Sequence, residues 1–287
     1  MVKNKLKGNT FFDWINYILM TFVVIITLYP FLYLLFVSIS PVEEVMKSSV
    51  LLYPKKITFD PYIYVFKHGG METAYRNTIV ITLLGTLIHV ILTSLGAYVI
   101  SKRDLPERKL FTSIIIITMM FSGGMIPSYL VIKQLNLINT LWALVIPNAI
   151  SSYWLIVTRN FFQSIPSSLN ESARIDGCTE YGILFRIILP LSTPILATLA
   201  LFHAVNQWNI YFSAVIYISN PKLQPLQVIV RAMYQNALDV YSAESLPPPV
   251  ETIRAATVMI ATLPILCVYP FLQKYFVKGM MVGAIKG

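Results

Sequence analysis

NESARIDGCTEYGILFRIILPLSTP, residues Asn170 to Pro194, is a polar, helix-forming stretch set between two long apolar runs. Glu171, Ala173, Arg174 and Asp176 follow Pro166, Ser167 and Ser168 on helical spacing, and either serine can cap the helix start. Glu171 then lies near the positive end of the helix dipole. Gly177 supplies a residue that takes positive φ and ends a helix. Thr179 can open a second short helix with Ile183, Ile187 and Ile188 on its apolar side, and Pro190 and Pro194 mark the return to apolar sequence. The expectation is a helix, a glycine turn and a helix over residues 164–190, lying against a bilayer. A loop that merely floats at the interface would carry more basic charge on its polar face.

The flanking runs make the bilayer hard to avoid. Hydrophobic residues are 56% of the 287 and charged residues 12%, against about 25% charged in a soluble domain. The mean hydropathy is +0.67. A spanning helix needs about 20 predominantly apolar residues. Such runs occur at Tyr17–Ser40, Thr78–Ile100, Phe111–Ile132, Thr140–Thr158, Leu191–Ile218 and Ala255–Phe276. The fold class expected is therefore an all-α integral membrane protein, a single domain of six transmembrane helices over residues 1–287. Lys3, Lys5 and Lys7 precede the first run, which is too long for a secretory signal core and has no small-residue cleavage site, so it reads as a retained anchor.

Lysine and arginine set the orientation. With both termini in the cytosol, the inner segments hold 13 of the 22 basic residues and a net charge of +7, against +2 outside. The cluster SKRDLPERK, Ser101 to Lys109, carries the strongest vote because short loops near span ends govern topology. The overall +9 is thus a topology signal, and no basic patch interleaved with aromatics points to nucleic acid. Cys178 and Cys267 fall in a cytosolic segment and inside the last span, which gives no disulfide framework.

Two longer outer segments, 41–77 and 219–254, contain Pro54, Pro61, Gly69–Gly70, Pro221, Pro225 and the Pro247–Pro249 run, and read as lids or docking surfaces. Ser122, Gly123, Gly124 and Pro127 interrupt the third span; the break marks either a pathway or a kinked packing helix. The fifth span holds His203, Asn206, Gln207, Trp208, Asn209 and Tyr211. Amides can bond sugar hydroxyls and the rings can stack on a sugar face, but the same residues can equally glue helices together. Ser151, Ser152, Tyr153 and Trp154 are weaker candidates, and His89, alone in the second span, reads as packing.

The pattern Glu171-Ser172-Ala173, Asp176-Gly177, Ile188-Leu189-Pro190 resembles the EAA loop of permease subunits of binding-protein-dependent ABC importers. FSGGMIPSYL (Phe121–Leu130), NTLWALVIP (Asn139–Pro147), FFQSIP (Phe161–Pro166) and the tail KGMMVGAIKG (Lys278–Gly287) extend the likeness to the carbohydrate branch, in particular its maltose-type second permease. Ser172 stands where that motif has alanine, and both are small. The resemblance implies the type I ABC importer fold with a cytosolic coupling helix, in the bacterial cytoplasmic membrane. It implies that Glu171, Ser172, Ala173, Arg174, Asp176 and Gly177 seat in a cytosolic ATPase, and that the tail, made flexible by Gly279, Gly283 and Gly287, reaches the ATPase interface. The partners implied are a second homologous permease, two ATPase subunits, an extracytoplasmic solute-binding protein and an oligosaccharide, including a complex or acidic glycan such as alginate oligosaccharide. Asn206, Gln207, Trp208, Asn209 and Tyr211 would then line the path.

No GxxxxGK[ST] phosphate loop occurs, so ATP and Mg belong to a separate ATPase and this chain is expected to bind no cofactor or metal. No HExxH or GxSxG occurs, and no catalytic residue is expected. The competing class is an ion-coupled secondary transporter of small polar solutes, which would need intramembrane carboxylates. None of the six spans contains Asp or Glu.

Overall fold

The computed structural model describes residues 10–47, 51–68, 70–236 and 250–284, with side chains of the last stretch through residue 267. Lys3, Lys5, Lys7, Gly69, the Pro247–Pro249 run and Gly287 lie outside the described residues. In chain order the helices are α1 (Thr10–Ser38), α2 (Val42–Lys47), α3 (Asp60–His68), α4 (Met71–Ser101), α5 (Arg108–Met120), α6 (Met125–Gln134), α7 (Trp142–Val145) and α8 (Ser152–Ser164). There follow α9 (Ser167–Ile175), α10 (Glu180–Ile183), α11 (Leu189–Leu191), α12 (Thr193–Trp208), α13 (Phe212–Tyr217), α14 (Leu226–Asn236) and α15 (Val250–Ala284). No strand occurs among the described residues.

Among the described residues three helices are individually long and apolar enough to cross a membrane: Phe11–Ser38, Met71–Ser101 and Val250–Cys267. The expected third span is a bent pair, and a second bend sits at the very start of the expected fifth span, Leu191–Ile218, which is itself divided between α12 and α13. Arg108–Met120 meets Met125–Gln134 at 115°, and Glu180–Leu191 meets Thr193–Trp208 at 79°. At the first bend Gly124 takes φ +82°, which a residue with a Cβ rarely adopts, so the helix cannot continue. The expected fourth span is not one helix either. α7 passes into a 3-10 turn at Ile146–Asn148 before α8 begins, because Pro147 has no N–H to continue the ladder.

The chain forms two compact units. The first comprises residues 1–69 and 230–262. Within it, Val37, Leu51 and Ala255 are buried together, and the Ser38 and Tyr62 hydroxyls meet at 2.7 Å. Most of α1 is bare: the side chains of Phe11 to Leu28 that are large and apolar are all exposed, as suits a helix solvated by lipid.

The second unit, residues 70–229 and 263–287, is organised along α4, which packs chiefly on α12 and α8. Gly85 and Gly96 permit this. A Cβ at Gly96 would lie 2.9 Å from Leu155 Cδ1, and one at Gly85 would lie 2.6 Å from Gln207 Nε2. Small residues at such contacts are the usual means of close helix approach where no hydrophobic effect operates between helices. One end of α4 enters a core of Ile81, Ile132, Leu144, Ala214, Tyr217 and Ile218. Its other end places Ala97, Tyr98 and Ile100 against Leu155, Phe162, Ala173, Ile183, Leu184 and Ile188.

Asn139, the first residue of the NTLWALVIP stretch, explains part of that motif. At φ +60° its Oδ1 accepts from the Ser219 N–H (2.7 Å), the Ser219 hydroxyl (3.0 Å) and the Asn220 N–H (3.0 Å), tying the start of α7 to the end of α13.

Candidate functional site

The Asn170–Pro194 stretch folds as a helix, a glycine turn and a helix. Ile165 is extended, as a residue before proline prefers, and Pro166 is the N-cap of α9. Neither Ser167 nor Ser168 caps the helix through its side chain, contrary to expectation, because Pro166 occupies that position and Ser167 is already helical. The C-terminus closes in a Schellman pattern: the Gly177 N–H donates to Arg174 O at 3.1 Å and the Cys178 N–H to Ala173 O at 2.9 Å. Gly177 takes φ +82°, as the turn requires. Thr179 accepts from the Gly182 N–H at 3.2 Å and so starts α10.

The helix beginning at α10 widens to π geometry over Leu184–Ile188, just ahead of Pro190. A proline removes a backbone donor and crowds the carbonyl four residues back, and a π-bulge relieves both effects. Ile183, Leu184 and Ile188 are buried on its inner face, while Ile187 is half-buried.

α9 shows a nearly bare surface. Ala173 is its one buried side chain, whereas Glu171, Ser172, Arg174, Asp176 and Gly177 are exposed and Ile175 is 87% exposed. No heavy atom lies within 4 Å of a Cβ built on Gly177, so the turn is open on that side. Of the sequence-predicted set, Glu171, Ser172, Arg174, Asp176 and Gly177 form a projecting rim, with Ile175 as an apolar member that sequence reading passed over, whereas Ala173 turns inward onto the chain's own core.

Sequence reading also missed Glu180. Its Oε2 accepts from Lys102 Nζ at 2.6 Å and from the Tyr98 hydroxyl at 2.7 Å, and its Oε1 meets Arg174 Nη2 at 2.9 Å. Hydrogen bonds from Lys102 and then Tyr98 hold the Glu180 carboxyl down to about 2. The group is thus ionised at every pH above the ordinary carboxylate range, and its contribution fades only as pH falls from there toward 2. Arg174 is consequently already paired within the chain.

The fifth-span cluster divides by helix face. Gln207 is fully buried, donates through Nε2 to Leu144 O at 3.2 Å and lies against Gly85. His203 is also buried and stacks on His89 with ring centroids 4.0 Å apart, while His89 Nδ1 lies 3.1 Å from Ala149 O. His89 is therefore not alone, as the sequence implied, though it is packed. Phe202, Val205, Asn206 and Asn209 form an exposed stripe along α12. Asn209 Nδ2 donates to Val205 O at 2.8 Å. Half-buried Trp208 meets Tyr75 edge-on at 6.2 Å, and Tyr211 is 39% exposed. Trp154 bridges Phe202 (5.2 Å) and Tyr153 (5.3 Å), giving an aromatic ridge beside the stripe.

The tail continues as helix through Ala284, so Gly279 and Gly283 sit in helical backbone and not in a flexible extension. Among the described residues no group of three or more His, Cys, Asp and Glu could hold a metal ion.

Residues 6–282 match the family described as "Binding-protein-dependent transport system inner membrane component". The polygalacturonan/rhamnogalacturonan transport system permease protein YtcP of Bacillus subtilis (strain 168) is 41% identical over 285 residues, 97% of this chain and 99% of that one. Protein LplC of the same organism is 43% identical over 285 residues, 98% of this chain and 97% of that one. A crystal structure of a bacterial ABC transporter involved in the import of the acidic polysaccharide alginate contains a chain that superposes with TM-score 0.85 at 32% identity, covering 94% of this chain and 98% of that one.

Proposed function

This chain belongs to the family of inner membrane components of binding-protein-dependent transport systems, and from that premise we propose that it is a permease subunit of an ATP-driven importer of an acidic oligosaccharide. The observation that carries the reading is the α9 rim: a short, capped helix that buries one methyl group inside its own chain and turns Glu171, Ser172, Arg174, Ile175 and Asp176 outward. Such a helix has more to offer a partner than its own fold uses. It seats in a cytosolic ATPase, one of two, which hold the ATP and Mg that this chain has no phosphate loop to bind. The subunit itself is non-catalytic.

Residues 164–190 lie in the cytosol in this reading, together with both termini, and the chain sits in the bacterial cytoplasmic membrane. A second homologous permease supplies the other wall of the path, and an extracytoplasmic solute-binding protein delivers the sugar. On this side of the path Asn206 and Asn209 offer amides to hydroxyls and carboxylates, and the Tyr153, Trp154 and Phe202 ridge offers apolar faces for sugar rings. The acidic substrate class is supported by the roles of a relative in polygalacturonan/rhamnogalacturonan transport and of a structural neighbour in alginate import.

The test is uptake of a labelled galacturonate trisaccharide by proteoliposomes holding the assembled importer and its binding protein. Uptake is expected with enclosed ATP and not with a proton or sodium gradient alone. Uptake on a gradient without ATP would replace this reading with ion-coupled transport.

A further inference from the structure

α9 is held to the body of its unit by very little. One alanine methyl is buried, and apolar burial is in any case non-directional, so it resists separation better than sliding. A push delivered to the rim of α9 needs a directional link to reach the membrane helices. The side chain placed to give one is Glu180. Its two oxygens bind three donors on two sides: Arg174 on α9, and Tyr98 and Lys102 at the end of α4. Tyr98 and Lys102 are four residues apart and so share one helix face, and Lys102 Nζ lies 4.8 Å over the Tyr98 ring, which fixes the ammonium where the carboxylate needs it. Charge-assisted bonds of this kind are the short, geometrically demanding ones.

We propose that Glu180 is the positioning residue that locks α9 to α4, so that the coupling helix and the long membrane helix move as one body. The proposal rests on the coupling reading of α9. Its consequence follows from the packing: α4 runs from this clamp to the opposite core and lies along α12, which carries the Asn206 and Asn209 stripe. Displacement of α9 is thereby carried to the wall of the path, not absorbed in the loop.

The experiment measures the distance between spin labels on Ser168 of α9 and Val99 of α4, both exposed, in the complete complex with Cys178 and Cys267 replaced by serine. Spectra are taken without nucleotide and with ATP and vanadate. In the otherwise natural chain one narrow distribution is expected, unshifted by nucleotide. Glu180→Gln and, from the other partner, Lys102→Met should each broaden it and shift it with nucleotide, the double variant should be no worse than either single one, and Glu180→Asp should restore most of the narrow peak. A nucleotide-dependent shift in the unsubstituted pair, or an unchanged peak in both Glu180→Gln and Lys102→Met, overturns the clamp. The coupling reading is tested apart from it by co-purification of the ATPase subunits with an Ile175→Asp chain. Loss of ATPase there with an unmoved peak in both Glu180→Gln and Lys102→Met removes the clamp alone, whereas undiminished ATPase removes the coupling reading and the clamp with it.

Discussion

Gly177 separates two roles that a turn glycine can combine, the shape of the backbone and the space left by a missing side chain. Within this chain the space is not contested, since nothing lies within 4 Å of a Cβ built there. The constraint inside the chain is the φ of +82°, and an ordinary L-residue held in left-handed geometry costs about 1–2 kcal/mol. Valine, branched at Cβ, tolerates it worst, and asparagine tolerates it best after glycine. Gly177→Val is therefore expected to lower sugar imported per ATP hydrolysed while the chain still reaches the membrane, with Gly177→Asn clearly milder. Both ratios are measured in proteoliposomes carrying equal amounts of assembled complex. If asparagine damages coupling as much as valine, the open face of the turn is filled by a partner and backbone shape is not the deciding factor.

α12 shows the same division at the level of a helix. Gln207 faces inward and satisfies the Leu144 carbonyl, while Asn206 and Asn209 face out on the stripe with Phe202 and Val205. Removing the buried amide takes from the Leu144 carbonyl one of its two side-chain donors, Asn148 Nδ2 remaining at 3.1 Å, and opens a void against Gly85; the lost hydrogen bond alone is worth about 0.5–1.5 kcal/mol. Gln207→Ala is accordingly expected to lower the melting temperature of the complex, with transport per surviving complex nearly unchanged. Asn206→Ala and Asn209→Ala are expected to do the reverse. Transport losses that follow melting temperature in all three variants would remove the stripe from the path. The sequence could not separate these faces and grouped Gln207 with Asn206 and Asn209, because a run of Asn, Gln, Trp and Asn does not say which neighbour each will meet. The α9 turn was legible for the opposite reason: Pro166, Gly177, Thr179 and Pro190 act within a few residues of themselves. Glu180 was not, since Tyr98 and Lys102 stand 82 and 78 residues away in the chain, and the His89–His203 stack was hidden in the same way. The broken third and fourth spans lie between these cases. The break in the third was legible from Gly123, Gly124 and Pro127, whereas hydropathy alone counted the fourth as a single helix despite Pro147.

The molecule as a whole has the surface of one part of an assembly. Along α1 the large apolar side chains from Phe11 to Leu28 are exposed, Asn206 and Asn209 are exposed on α12, and the α9 rim is bare. Lipid can cover the first. Amides and charges need other chains or water, since an unpaired polar group in hydrocarbon is costly. An oligosaccharide path also needs a second wall. The chain purified alone is therefore expected to bind no ATP analogue and to carry no sugar, and the working particle is expected to contain one copy of it, one second permease and two ATPase subunits. Native mass spectrometry of the complex released from membranes reads that composition directly, and equilibrium binding of a fluorescent ATP analogue to the isolated chain reads the first half. A functional particle with two copies of this chain and no second permease would mean that the Asn206 and Asn209 stripe faces its own symmetry mate. Both walls of the path would then carry the same recognition groups, and substitutions on the stripe would act twice in every complex.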